Sequence, residues 1–110
     1  ISCAYPIDVH GFENVSLGLK YDESVMPDER YWQVPYRCMI PKKTDNLLVA
    51  GRCAGFDFIA QSAARIQLVC RAMGEAAGLA CALASKNKLD LSAVDPVSVH
   101  RELVSRGMQF

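Results

Sequence analysis

The side chains best suited to chemistry are few: five cysteines, Cys3, Cys38, Cys53, Cys70 and Cys81, and two histidines, His10 and His100. A thiolate or imidazole metal site needs ligands at short, fixed spacings, and neither a C-x-x-C pair nor a histidine pair one helical turn apart occurs here. His100 therefore reads as a packed or surface histidine, and no metal is expected. The odd cysteine count and wide spacing fit reduced thiols, with Cys70 and Cys81 acting as small hydrophobes in the core of a helix. Disulfides are rare in reducing compartments, so a cytoplasmic location is expected. The remaining groups with reach are cations: Arg52 follows a glycine at the end of an apolar run, and Arg65 stands near the start of a long helical stretch.

The elements that must position those residues run from Asp45 to Ser85. Asn46-Leu47-Leu48-Val49-Ala50 is apolar without alternation and bounded by Asp45 and Gly51, the pattern of a strand covered on both faces. From about Gln61 to Ala84 no proline interrupts, and Ile66, Val69, Cys70, Met73, Ala77, Ala80, Cys81 and Ala84 recur at helical spacing. The order is strand, glycine turn, helix. Gly74 and Gly78 sit one turn apart, each costing about 1 kcal/mol relative to Ala, and close approach of another backbone is the expected compensation.

The 110 residues suit a single domain, numbered 1–110, with 51% hydrophobic residues and a net charge of zero. Lys and Arg are scattered, which leaves no electrostatic footprint for nucleic acid. The apolar window from Ile66 to Ala84 contains Arg71 and Glu75, both expensive at membrane depth, so a soluble buried helix is expected and no membrane partner. Ile1 at the start, without the basic-then-apolar order of a signal peptide, reads as a piece of a larger protein.

Elsewhere, Ala4 to His10 reads as a short edge strand, 11–30 as a connecting loop with a brief strand from Ser16 to Lys20, and Tyr31 to Ile40 as an edge or bent strand limited by Pro35. Pro41-Lys42-Lys43-Thr44-Asp45 turns the chain, making an antiparallel pair or a sharp corner with the next strand. Lys86 and Lys88 complement the C-terminal end of the long helix, with Asn87 as its left-handed cap. Asp95-Pro96 places a capping carboxylate before an N1 proline, and Val97, His100, Leu103 and Val104 mark one face of a last helix ending at Gly107.

Tyr5-Pro6-Ile7-Asp8-Val9-His10, Val34-Pro35-Tyr36-Arg37-Cys38-Met39-Ile40-Pro41-Lys42, Asp45 to Cys53, and Arg65 with Met73-Gly74-Glu75-Ala76-Ala77-Gly78 together resemble a known family. It is the C-terminal portion of the FAD-dependent oxidoreductases related to the A subunit of heterodisulfide reductase. The ordered set P-Y-R, N-L-L-V-A-G-R and G-E-A-A-G carries the likeness, which spans nearly the whole chain. It implies an α+β fragment of a two-domain FAD-binding fold: short strands, one long buried helix and a C-terminal helix. It also implies a partial FAD site, in which the strand ends beside the flavin and the long helix points its N-terminus at the ring. Gly51, Arg52, Ala63, Ala64, Arg65 and Ile66 are the matching cofactor-binding positions. Unpaired N–H groups, a positive dipole end and a guanidinium all favour an electron-rich flavin edge. The alternative for both arginines is pairing with Asp57 and Glu75.

Two departures qualify the likeness. Where relatives show S-A-T-H-E-A, this chain has Gly55-Phe56-Asp57-Phe58-Ile59-Ala60, so a histidine gives way to Phe58 and no catalytic residue is assignable. No G-x-G-x-x-G occurs, so the ADP-binding part of the site is expected in a missing N-terminal portion, and the chain alone is expected to be inactive. The alternative is an independent structural or dimerisation module without redox activity, whose small-residue helix packs on a second copy.

Overall fold

A computed structural model describes residues 2–3 and 32–108, the first two by backbone alone. Their order is β1 (Ser2–Cys3), β2 (Trp32–Gln33), a 3-10 turn (Tyr36–Met39), a second 3-10 turn (Gly51–Cys53), α1 (Phe58–Ala64), α2 (Gln67–Asn87), a third 3-10 turn (Leu91–Ala93) and α3 (Pro96–Ser105). The strands expected at Ala4–His10 and Ser16–Lys20, and the loop between, lie outside the described residues.

The described residues are mostly helical, which corrects the expected balance of strands and helices. β1 and β2 pair antiparallel, Ser2 opposite Gln33 and Cys3 opposite Trp32, a ladder too short to offer a packing face. The expected strand Asn46–Ala50 is extended chain without a ladder. One bond ties it to Tyr31–Ile40, from the Val49 N–H to the Met39 carbonyl at 2.8 Å. Leu47 is 46% exposed, whereas a strand covered on both faces would bury it. The chain turns a sharp corner instead, with Asn46 in the left-handed region at φ 54°.

The long helix divides. Arg65 closes α1 with helical backbone, but Ile66 is extended at ψ 151° and α2 starts at Gln67. Asp57 caps α1, accepting the Ala60 N–H at 2.7 Å. At its far end α2 stops on Lys88, in the left-handed region at φ 53°, one residue beyond the cap expected at Asn87. By length and composition α2 could cross a membrane, but only 39% of its most apolar stretch is buried. It is half-covered rather than the buried helix expected.

Its covered face is formed by Val69, Met73, Ala76, Leu79, Ala80 and Ala84. Met73 is wholly enclosed, and the face packs with Leu91, Val94, Val99 and Leu103. Burying these side chains contributes roughly 1.5–3 kcal/mol for each of the larger ones. The opposite face is open. Leu68 is 74% exposed, Cys81 is exposed and Cys70 half-buried, so neither thiol is the core hydrophobe expected. Nothing lies within 4 Å of a side-chain carbon placed at Gly74 or Gly78, so no backbone among the described residues exploits them.

α3 begins as its Asp-Pro sequence dictates. The Asp95 carboxylate accepts the Val97 N–H at 3.1 Å and the Ser98 N–H at 3.0 Å, with Pro96 in the first helical turn. Its buried face uses Val99 and Leu103, whereas Val97, His100 and Val104 are exposed, a rotation of the face expected.

Candidate functional site

The break between α1 and α2 meets the Gly51–Cys53 turn. Gly51 has φ +73°, which favours glycine, and a side-chain carbon there would touch Cys70 Cβ at 3.6 Å. Arg52 Nε donates to the Arg65 carbonyl at 3.0 Å, and Gln61 Nε2 donates to the Arg52 carbonyl at 3.3 Å. Within α1, Ser62 Oγ donates to the Ile59 carbonyl at 2.7 Å, and Arg65 Nε donates back to the Ser62 carbonyl at 3.3 Å. Gly51, Arg52, Ala63, Ala64, Arg65 and Ile66 thus gather around one junction, although Arg52 and Arg65 stand 13 residues apart in sequence.

Their surroundings differ. Arg52 and Arg65 are exposed, Ile66 is half-buried, and Ala63 and Ala64 are only 2% and 1% exposed. The alanine side chains therefore face the protein rather than an open surface, and what they allow is close seating of α1. Ile66 has no polar side chain to cap α2, and the N–H groups of a helix's first turn have no intrahelical acceptor. The Gln67, Leu68 and Val69 amides consequently form a positive helix end, and Arg52 Nε reaches the Arg65 carbonyl just before it. Arg52 makes no ion pair with Asp57 or Glu75 among the described residues.

A concavity lies elsewhere. A cleft of about 830 Å³ is lined by residues from Arg37 to Leu47, by Gly55 and by Asp90 to Ser92, and shares none of the six junction residues. Its charges are mixed, Arg37 and Lys42 against Asp45 and Asp90, so it concentrates neither sign. The α1–α2 junction brings two arginines and the start of a helix together, and Arg52 Nε, Gln61 Nε2 and Arg65 Nε all donate there to backbone carbonyls. No group of three or more metal-ligating side chains occurs among the described residues.

Residues 2–103 match the family described as FAD dependent oxidoreductase. The chain belongs to that family. No curated protein and no solved structure matches it. FAD is thus the cofactor its family uses. Sequence reasoning missed two participants in the α1–α2 junction, Gln61 and Cys70, because neither belongs to a motif. A side chain's hydrogen bond to a distant carbonyl leaves no periodic signal.

Proposed function

We propose that this chain supplies the flavin-end contacts of an FAD site in a larger oxidoreductase, one related to the A subunit of heterodisulfide reductase. The uncapped start of α2 beside Arg52 and Arg65 carries the proposal. The ADP half is held by a separate segment with a phosphate-binding loop, because this sequence has no G-x-G-x-x-G. When bound, FAD supplies the ring that accepts and donates electrons. The chain's own contribution is electrostatic: the Gln67 to Val69 amides and the Arg65 guanidinium favour negative charge at the ring edge, and Gly51 keeps side-chain bulk away from the turn. Phe58 has no titratable group and cannot move a proton.

Replacing Arg65 with Ala in the flavin-loaded protein tests the assignment. Loss of the charge should lower the flavin potential by roughly 10–40 mV, the two-electron equivalent of about 0.5–2 kcal/mol of Coulomb interaction near a surface. An unchanged potential with FAD still bound would remove Arg65 from the site.

The open face of α2 favours a second reading, in which the chain is an interaction module that packs this face on a second copy. Exposed Leu68 and the uncovered Gly74 and Gly78 support it. Light scattering separates the two: a monomer at all concentrations removes the dimer, and a tight dimer without FAD affinity favours it.

A further inference from the structure

Because α1 ends at Ala64 and α2 begins only at Gln67, the last carbonyls of α1 lose the partners that a continuous helix would provide. They are answered from outside the helix. Arg52 Nε–H donates to the Arg65 oxygen at 3.0 Å, and the Cys70 thiol lies 3.6 Å from the same oxygen and 3.8 Å from that of Ala64. Gln61 returns a bond to the Arg52 carbonyl at 3.3 Å, closing the loop between turn and helix. The terminal guanidinium nitrogens of Arg52 make no hydrogen bond among the described residues. A guanidinium that recognises an anion presents its terminal fork, whereas Arg52 is engaged through Nε and a backbone oxygen.

We propose that Arg52 is a positioning residue, a clasp whose Nε–H holds the break between α1 and α2 and so fixes the direction of the uncapped α2 start. Its consequence for FAD rests on the function proposed above; the clasp itself rests on the hydrogen bonds alone. The consequence differs from that of a charge at the ring. What matters is a donor at the Nε position, not the positive charge beyond it.

Two substitutions separate donor from charge. Arg52→Gln removes the charge but carries an N–H the same number of bonds from the backbone as Nε. Arg52→Lys keeps the charge but puts a methylene at that position. Hydrogen exchange at the Arg65 and Cys70 amides, which bond to the Gln61 and Ile66 carbonyls, reports the junction without any cofactor. The clasp predicts exchange about two- to tenfold faster in Arg52→Lys, the loss of one modest hydrogen bond, and slower exchange in Arg52→Gln than in Arg52→Lys. Equal protection in Arg52→Lys and the unaltered protein would overturn it. FAD affinity should follow the same rank, Gln above Lys, and the reverse rank would make Arg52 a contact charge. If the exchange results hold but the unaltered protein does not bind FAD, the FAD-site reading falls and the clasp stands. If FAD binds and affinity follows charge, the clasp falls and the FAD-site reading stands.

Discussion

Replacing Gly74 and Gly78 with alanine should stabilise this chain. Both lie inside α2 on its exposed face, and a side-chain carbon added at either meets no atom within 4 Å. No packing is lost, so helix propensity and the entropy of the unfolded chain decide the sign. Each glycine in an exposed helix interior costs about 0.5–1 kcal/mol relative to alanine, and the two together should therefore contribute about 1–2 kcal/mol. For a domain of this size each kcal/mol is worth roughly 4–8 °C in Tm, so the double variant should melt about 4–16 °C higher. Thermal melts by circular dichroism on dilute protein, repeated in urea, would measure it. A lower Tm in Gly74→Ala or Gly78→Ala would mean that another backbone approaches α2 in solution and that this face of the helix is not open.

Strong acid should loosen the start of α3. Bonds from the Ser98 side chain and the Val97 amide hold the Asp95 carboxyl below its ordinary value of 3.8, so its stabilisation is present above that pH and is lost as pH falls through the lower folded value. A nuclear magnetic resonance titration placing Asp95 at or above 3.8 would contradict this, and Ser98→Ala should move its pKa upward. Met73→Ala, at a wholly buried position, should cost about 2–5 kcal/mol in urea unfolding, and a cost below about 1 kcal/mol would mean that the α2 core face is misplaced.

The elements legible from sequence are those whose signals are local. Asp95-Pro96 announces the start of α3, and the run of alanines, leucines and charged residues from about Gln61 to Ala84 announces one long helix, since capping and propensity act within a few residues. The interruption at Arg65–Ile66 has no such mark. No glycine or proline stands there, and the freed carbonyls are satisfied by Arg52, 13 residues back, and by Cys70, 5 residues ahead of Arg65. Leu47-Leu48-Val49 misleads for a related reason. A short apolar run fits a buried strand only if neighbours pair with it, and one bond to Met39 is all it receives among the described residues. The candidate site was legible as a neighbourhood, because Gly51-Arg52 and Ala63 to Ile66 do converge. The burial of Ala63 and Ala64 was not, since it depends on how the Gly51–Cys53 turn seats against α1.

In the proposed function the start of α2, with the Arg52 and Arg65 contacts behind it, faces the flavin edge of FAD. Hydrogen exchange followed by mass spectrometry, comparing the FAD-loaded protein with the same protein stripped of FAD, tests it most directly. FAD should slow exchange in peptides covering Gly51–Cys53 and Arg65–Cys70. Protection confined to the cleft residues Arg37–Leu47 and Asp90–Ser92, with the α1–α2 junction unchanged, would place the cofactor elsewhere and remove the junction from the FAD site.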